Sequence, residues 1–236
     1  MRPGLLSRGA RFLALGVGAA LLLSVLAVLA LRFMSPWSTA FIMEARVHSW
    51  FDDDPRPWKL QRKWRDLAAI SPQLQLAVIA SEDQRFPEHG GFDFDQIQKS
   101  LDAAEHTGRS RGASTISQQV AKNLFLWGGH SWIRKGFEAW FTVLIEWLWP
   151  KQHILEMYLN IAEFGRGIYG AEAAAQLFYH KPAARLTASE AARMAAVLPN
   201  PQRFRIEAPS RYVLRRQGQI EAQMRALGGI DYLSKL

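Results

Sequence analysis

The stretch SPQLQLAVIASEDQRFPEHGG, residues 71–91, decides the fold because it joins an apolar helix to a polar turn. Ser71 is a favourable helix N-cap, and Pro72 suits the first helical position, where its missing N–H leaves no bond unmade. A helix is therefore predicted from Pro72 toward Glu82. The Pro/Gly-rich residues that follow indicate a turn, which is a frequent place for functional side chains.

Four later segments carry similar helix signals, with a polar N-cap or an apolar stripe at the start and a proline or glycine at the end. The predicted helices cover residues 114–126, 131–149, 151–163 and about 187–199. No alternating run between turn residues indicates a sheet of any size. The sequence thus predicts one mainly α domain.

Two segments have weaker signals. Residues 94–112 are polar and end in Gly, Arg and Ser, which indicates a mobile loop or a loosely packed helix. Beyond Pro201 no residue suggests chemistry, and a packing helix with a basic surface is expected there. Its basic residues are Arg211, Arg215, Arg216 and Arg225.

Residues 12–31, FLALGVGAALLLSVLAVLAL, predict a transmembrane helix. Twenty helical residues rise about 30 Å, which matches the hydrocarbon core of a bilayer. Arginines before this stretch place residues 1–11 in the cytoplasm and the remainder outside. A cleaved signal peptide is the alternative, but its apolar region is shorter, and here Arg32 follows instead of a small-residue cleavage site. Residues 32–65 are expected to be a connector, and residues 66–236 the folded domain.

The composition narrows the classes of partner. There is no cysteine, so disulfides and thiolate metal sites are excluded. The net charge of +8 fits nucleic acid, an anionic membrane or a phosphorylated substrate. No long Lys/Arg run or zinc-finger spacing favours nucleic acid, which is therefore not an expected partner. No aspartate-rich motif predicts a metal site.

The predicted helix 114–126 presents a polar arc. At 100° per residue, five hydrogen-bonding side chains lie opposite the apolar ones. Solvated helix faces are dominated by Glu, Lys and Arg, whereas this arc is rich in amides and hydroxyls, which suit sugar hydroxyls or phosphate oxygens. An unusual surface helix is the alternative. The five residues are Thr115, Gln118, Gln119, Lys122 and Asn123.

Carboxylates elsewhere allow two interpretations. Glu82 and Asp83, with His89 nearby, form either a site at a helix end or only a solvated end and its turn. Arg134 and Glu138 are helical neighbours at i, i+4. They form either a surface ion pair or, with Lys135, a cationic patch that holds a diphosphate beside an acid.

Glu156 and Asn160 are polar partners within the apolar stretch of the predicted helix 151–163. Their i, i+4 spacing places them on one side of the helix. A buried supporting network is expected there, and not a catalytic role.

Taken together, four motifs resemble, in order and spacing, those of the peptidoglycan glycosyltransferases. The resemblance covers about residues 60–200. The S-x-x-K and K-T-G motifs of a penicillin-binding half do not occur, so the chain resembles the stand-alone members of that family. The motifs are EDQRFPEHGGFD (82–93), GASTISQQVAKNLFL (112–126), RKGFEA (134–139) and KQHILEMYLNIAEFGRGIYG (151–170).

The resemblance implies a lysozyme-like helical domain with a small jaw near the membrane, at about residues 94–111. It implies an inverting glycosyltransferase that polymerises lipid II into β-1,4-linked glycan strands and releases undecaprenyl diphosphate. Expected partners are lipid II, the growing strand and inner-membrane lipids. The domain would lie in the periplasm, and partners among cell-division or cell-wall synthesis proteins are left open.

The resemblance also implies roles for individual residues. Glu82 would accept the proton of the attacking hydroxyl, and Glu138 would assist on the donor side. No cofactor is expected to be required, although a divalent cation (Mg²⁺ or Mn²⁺) at the diphosphate is left open. Lys122, Arg134 and Lys135 would neutralise the diphosphate; Ser114, Gln118, Gln119 and Asn123 would hold sugar and phosphate oxygens; Asp83 and His89 would shape the turn at Glu82.

Two other functions compete with this one. A lysozyme or lytic transglycosylase shares the helical fold and a key glutamate, but it needs a protonated acid for a poor leaving group. It has no need of a diphosphate-binding cluster at residues 112–135. A non-enzymatic membrane scaffold is the second alternative, and the intact motifs argue against it.

Overall fold

A computed structural model describes residues 4–52, 58–107, 114–129 and 131–236, and most of these residues lie in helices. The α-helices are α1 (Gly4–Leu31), α2 (Ala40–His48), α3 (Pro72–Glu82), α4 (Phe94–Thr107), α5 (Ile116–Phe125), α6 (Trp132–Leu148), α7 (Lys151–Ile161), α8 (Ala171–Tyr179), α9 (Ala188–Val197) and α10 (Arg211–Ala226). The 3-10 helices are Leu67–Ala69, Phe86–Glu88, Ala183–Arg185 and Gly229–Lys235.

A small sheet accompanies the helices. It consists of β1 (Gln61–Arg62), β2 (Glu163–Gly165) and β3 (Ile168–Tyr169), in the order β1-β3-β2. Strand β3 pairs in parallel with β1 and antiparallel with β2. The prediction of a mainly α fold without a sizeable sheet is confirmed.

Helix starts follow the side-chain caps that the sequence contains. The Ser71 side chain accepts a hydrogen bond from the Gln73 N–H, and Ser131 caps α6 in the same way. Thr187 and Glu190 form the predicted capping box of α9. These caps satisfy backbone N–H groups that have no partner within the helix. The predicted starts of these three helices are therefore confirmed.

The predicted helix 151–163 is two residues too long, since α7 ends at Ile161. Ala162 is extended, and the next three residues form β2. Gly170 then donates its N–H to the Ala162 carbonyl over 2.9 Å, with a φ of +87°. A Cβ at Gly170 would lie 2.9 Å from the Asn160 carbonyl oxygen, so the tight return of the chain requires glycine.

Helix α3 lies at the centre of the domain. Every side chain from Leu74 to Ala80 is buried, so the helix is covered on all sides, as a central core helix should be. It packs against α9 and α10, while α5 packs against α6 and α7. The end of α3 that carries Glu82 is therefore held by well-packed surroundings.

The connector and the polar segment contain more helix than expected. Helix α2 lies within residues 32–65 and packs against α5, and α8, which was not predicted, follows directly after the fourth motif. The polar segment forms α4, whose described side chains are mostly exposed. This outcome agrees with the loosely packed helix, one of the two alternatives for 94–112; residues 108–113 lie outside the described part of the chain.

Helix α1 contains an apolar stretch, Gly9–Leu31, long enough to cross a membrane. Its last turns also pack on the folded domain. Val28 is fully buried, and its carbonyl accepts a hydrogen bond from the Trp149 Nε1–H over 2.9 Å. The Trp140 Nε1–H donates to the Ser24 hydroxyl over 3.0 Å. Because Ser24 meets Trp140 within α6 and Val28 meets Trp149 just after its end, α1 and α6 run side by side in the same direction.

Candidate active site

Glu82 lies at the last position of α3, facing α5. Its Oε2 accepts a hydrogen bond from the Gln119 Nε2 over 2.9 Å, and its Oε1 accepts one from the Ser81 hydroxyl over 3.4 Å. Burial raises the pKa of Glu82, while the bond from Gln119 and the positive charge of Arg216 oppose this shift. The side chain is thus a carboxylate with a raised affinity for a proton, as a general base requires.

Tyr158 fixes the orientation of Gln119. The buried Tyr158 hydroxyl donates to the Gln119 Oε1 over 3.2 Å, so the amide must turn its NH₂ group toward Glu82. Burial raises the pKa of Tyr158 well above its usual value, and the charge of Glu82 adds to this, so the hydroxyl keeps its proton and remains a donor. The sequence placed Tyr158 among the core residues and gave no sign of this bond.

Arg216 brings α10 to the same end of α3. Its Nη2 donates to the Ser81 carbonyl over 3.1 Å, and its charge lowers the pKa of the neighbouring Glu82. The sequence predicted only a basic packing surface beyond Pro201, so this contribution was missed. The helical spacing of the arginines predicted a basic face but not the helix that this face would contact.

Asp83 and His89 tie the end of α3 to the start of α5. The Asp83 Oδ2 accepts from the Ile116 N–H over 3.0 Å, and its Oδ1 lies 2.9 Å from the His89 Nε2. The Gly91 N–H donates to the His89 Nδ1 over 3.2 Å, so Nε2 carries the proton and donates to Asp83. Because residue 116 opens α5, these bonds hold Gln119 against Glu82.

Asp83, His89 and Asp93 also have ligand atoms within 4.8 Å of one another, a spacing that could hold a metal ion. Their atoms already serve other bonds in the structure. Asp93 accepts from Arg85 over 3.2 Å and from the Gln96 N–H over 3.0 Å. These bonds therefore stabilise the turn that follows α3.

A second charged group lies on α6. The Arg134 Nη1 lies 2.8 Å from the Glu138 Oε2, and Lys135 pairs with the other carboxylate oxygen. Arg134 and Glu138 are buried, so the alternative of an ordinary surface ion pair is wrong. Within the described part of the chain, the buried Arg134 Nε has no hydrogen-bond partner. A buried donor without an acceptor is costly to the folded state.

Lys122 links the two groups. Burial lowers the pKa of its ammonium, and the charges of Arg134 and Lys135 lower it further, whereas those of Glu138 and Glu82 raise it. Lys122 therefore interacts electrostatically with both Glu82 and Glu138. Its Nζ also lies 5.3 Å from the centre of the Phe41 ring of α2, so part of the expected connector borders the site.

The remaining predicted residues of α5 differ in their surroundings. Gln118 is buried, and its Oε1 accepts from the Thr115 N–H over 3.0 Å in a capping box. That oxygen is therefore committed to the helix start, and only the amide NH₂ of Gln118 is left for substrate. Ser114 is exposed and precedes α5, whose N-cap is Thr115, so the predicted helix start at residue 114 is two residues too early. Asn123 is half-buried on the same helix as Gln119 and Lys122.

Glu156 and Asn160 hold the chain that leads into the domain. The Glu156 Oε2 accepts from the Leu67 N–H over 2.7 Å. Asn160 accepts from the Arg65 N–H and donates to the Arg65 carbonyl, both over 2.8 Å. Because these bonds are made to backbone atoms, Glu156 and Asn160 support the fold.

A cavity of about 540 Å³ lies between α2 and the small sheet, beside this site. Its walls include Glu44, Glu163 and Arg166, but not Glu82. Burial raises the pKa of Glu163. The Gly128 N–H donates to Glu44 over 2.7 Å, which ties α2 to the end of α5. The cavity thus adjoins the site through the connector without containing its central carboxylate.

The structure thus combines a helical domain with a half-buried carboxylate, Glu82, and a neighbouring cationic cluster, an arrangement that suits group transfer. The family model described as "Transglycosylase" matches residues 54–225. The chain belongs to this transglycosylase family, whose known function is the polymerisation of peptidoglycan glycan strands. The family resemblance in the four motifs is confirmed.

Several curated proteins named "Biosynthetic peptidoglycan transglycosylase" are similar to the chain along most of its length. The protein from Chromohalobacter salexigens is 53% identical over 231 residues, which cover 98% of each chain. The one from Xanthomonas campestris pv. campestris is 54% identical over 89% of this chain and 85% of its own. The one from Pseudomonas fluorescens is 54% identical over 90% and 88%.

Proposed function

We propose that the chain polymerises lipid II into β-1,4-linked glycan strands, with inversion at the donor sugar and release of undecaprenyl diphosphate. The main observation behind this proposal is that Glu82, whose carboxylate accepts a hydrogen bond from Gln119, lies near a cationic cluster on α5 and α6. The cluster consists of Lys122, Arg134 and Lys135. Family membership supports the reaction, and the growing strand and lipid II are its two substrates.

The bonds change as follows. The 4-hydroxyl oxygen of the lipid II acceptor attacks the anomeric carbon of the growing strand while Glu82 accepts the hydroxyl proton. The bond between that carbon and the diphosphate oxygen breaks, and the diphosphate leaves with the electron pair. Lys122, Arg134 and Lys135 neutralise the leaving charge, which is the costliest part of such a transfer. Glu138 keeps Arg134 and Lys135 in place.

The Arg134 guanidinium supports this assignment. A guanidinium binds phosphate oxygens through two parallel N–H groups. Glu138 uses Nη1 alone, which leaves the Nη2 group of the guanidinium for an oxygen of the diphosphate, whereas Nε is buried and out of reach. The prediction that Ser114, Gln118, Gln119 and Asn123 hold sugar or phosphate oxygens extends the same surface along α5. A divalent cation at the diphosphate remains part of the proposal only as an optional aid to neutralisation.

Cleavage of glycan is the competing function, because a raised glutamate pKa also suits a general acid. Two features favour the base. Gln119 donates to the carboxylate form of Glu82, and Arg216 adds a positive charge nearby, which both lower its pKa again. A hydrolase also has no use for three cations beside the site.

One assay tests the proposal. The full chain in detergent is given lipid II, and polymer is separated by gel electrophoresis. Glu82→Gln keeps the shape of the side chain but removes the base, so polymerisation should fall by about 100-fold or more. Glu88→Gln is the matched control, an exposed glutamate of the same motif, and it should retain nearly full activity.

Near wild-type polymerisation by Glu82→Gln would contradict the mechanism. Shortening of finished glycan by the wild-type chain would instead support a hydrolase, and neither reaction would support a scaffold.

The proposed location is the inner membrane, with the N-terminus in the cytoplasm and the domain in the periplasm. A polyprenyl substrate stays in the bilayer, so an enzyme tethered by α1 remains at its surface. Arg8 and Arg11, which precede the uncharged residues 12–31, support this orientation. Protease added outside spheroplasts should digest the domain, whereas a cytoplasmic domain would be protected.

A further inference from the structure

An apolar groove lies between α1 and α6, apart from the catalytic carboxylate. It has a volume of about 610 Å³, and its walls are α1 from Val17 to Ser24 and α6 from Ile133 to Phe141. Gly136 lies in the α6 wall, where a Cβ would meet no atom within 4 Å. The hydrogen bond between Trp140 and Ser24 joins the two walls.

The position of the groove along α1 indicates its surroundings. Helix α1 has 28 residues, about 42 Å at 1.5 Å each, which exceeds a hydrocarbon core of about 30 Å. Its last turns around Val28 pack on the folded domain, so the bilayer surrounds the earlier part. The groove lies along α1 before those last turns, within the apolar stretch Gly9–Leu31, so it faces the hydrocarbon layer.

The exposed residues of α6 agree with this placement. Trp132 is 92% exposed and Ile133 is 73% exposed, although both lie at the start of a helix in a folded protein. A contiguous apolar surface of this kind is costly in water and is typical of membrane contact. Tryptophan is also enriched at the interface between hydrocarbon and headgroups.

The groove adjoins the diphosphate cluster on α6. At 100° per residue, Arg134 is 20° around the helix from Phe141 and 60° from Phe137, so the charged face borders the apolar one. A diphosphate bound by Arg134 and Lys135 would therefore have the first units of its hydrocarbon chain beside the groove.

We infer that this groove holds the isoprene units nearest the diphosphate of the lipid-linked sugar substrate. The inference rests on the proposed function and adds a binding site for the lipid part of that substrate. Hydrocarbon already surrounds the chain in the bilayer, so moving it into the groove gains little hydrophobic free energy. The groove instead orients the chain, and through it the diphosphate, relative to Arg134 and Glu138.

The test uses a lipid II analogue with a photoreactive diazirine in the second isoprene unit. Full-length protein in inner-membrane-like vesicles is irradiated, and the crosslinked peptides are mapped by mass spectrometry. We expect crosslinks to residues 17–24 and 133–141, and competition by unlabelled lipid II. Gly136→Phe fills the groove and should remove these crosslinks and lower kcat by roughly tenfold, since small misplacements of a reacting group cost one to two orders of magnitude.

Two further variants keep the result interpretable. Ala20→Leu narrows the groove from α1 and should act in the same direction, so a folding defect of α6 alone cannot explain both effects. Gly218→Phe places the same ring on an exposed position of α10, where a Cβ also has no neighbour within 4 Å, and should leave crosslinks and kcat unchanged.

The outcomes separate this inference from the proposed function. Crosslinks outside the two walls, or groove crosslinks that excess phospholipid removes and lipid II does not, would overturn the groove assignment while polymerisation stands. An unchanged kcat in Gly136→Phe would also overturn the groove assignment. Absence of polymerisation by the wild-type chain would instead overturn the proposed function.

Discussion

Glu82 and Glu138 are both carboxylates in the candidate site, yet the structure holds them in opposite ways. The Glu82 carboxylate is held from a different helix by Gln119, and Arg216 of α10 adds charge. Glu138 instead pairs with Arg134 and Lys135 of its own helix. The position of Glu82 therefore depends on tertiary packing, whereas the group of Arg134, Lys135 and Glu138 depends on helical spacing within α6.

This difference separates two kinds of substitution. Changes in the cluster should remove charge from the leaving group and leave the base in place. Changes around Glu82 should shift its position or its pKa, and should leave the fold and the cationic cluster intact. The largest loss of polymerisation is expected when a charge of the cluster is removed. Smaller losses are expected when a contact that supports Glu82 is removed.

Lys122→Met should give the largest loss, because Lys122 experiences both carboxylates and its charge has no substitute at that position. Methionine preserves most of the apolar stem, so packing against Phe41 changes little. Removing one electrostatic contact to a transition state costs about 100-fold to 1000-fold in rate, measured as kcat on lipid II.

Lys235→Met is the control for Lys122→Met, since Lys235 is half-exposed and 3.7 Å from Glu88. It should keep wild-type activity. A Lys122→Met enzyme within threefold of the wild type would show that the cluster acts without Lys122.

Asp83→Asn should weaken both stability and activity. The carboxylate accepts from two donors, the Ile116 N–H and the His89 Nε2–H, whereas an amide offers one acceptor oxygen. One buried donor is left unpaired, at a cost of about 1–3 kcal/mol. The melting temperature should fall, and kcat should fall about tenfold as α5 shifts relative to Glu82.

Asp95→Asn is the matched control for Asp83→Asn, since Asp95 is exposed and contacts only Arg85 among its described ion-pair partners. An unchanged melting temperature in Asp83→Asn would show that the link between α3 and α5 contributes nothing.

The sequence predicted much of the fold because the signals for helix ends are local. Ser71, Ser131 and Thr187 cap helices where their positions indicated. The same local rule was overlooked at Thr115 and Gln118, whose T-x-x-Q spacing is a capping box. Gln118 was assigned to substrate alone, although half of its amide belongs to the helix start.

The missed contributions arise from distant parts of the chain. Tyr158 is 39 residues from Gln119, and Arg216 is 135 residues from Ser81. A tyrosine on an apolar face and an arginine on a basic face look alike whether or not they approach a catalytic group. Only the packing of α7 and α10 around α3 and α5 distinguishes them.

Tyr158→Phe should have a smaller effect than Asp83→Asn. It removes the hydroxyl that fixes Gln119 and leaves the ring in the core. The amide can then turn its oxygen toward Glu82, which favours the protonated acid, so the acid limb of the kcat/KM profile should move to higher pH. Loss of one hydrogen bond of about 1 kcal/mol corresponds to roughly fivefold in rate.

Tyr179→Phe provides the comparison for Tyr158→Phe, since its hydroxyl bonds to the Glu190 carbonyl, remote from Glu82. Its pH profile should match that of the wild type. An unshifted profile in Tyr158→Phe would mean that Gln119 keeps its orientation without the hydroxyl.

Arg216→Gln should have the smallest effect and should appear mainly in the pH profile. Arg216 lowers the pKa of Glu82 by its charge, against the larger effect of burial. Without that charge the pKa rises further, and Glu82 must be deprotonated to act as a base. The activity is therefore lost at a higher pH as the solution is acidified, whereas the rate at the alkaline plateau stays within about threefold, since a bond to the Ser81 carbonyl is worth about 1 kcal/mol or less. Arg216→Lys retains the charge and should restore the wild-type acid limb. If Arg216→Gln instead lowers the plateau and leaves the acid limb in place, the arginine supports the end of α3 mechanically and does not tune the base.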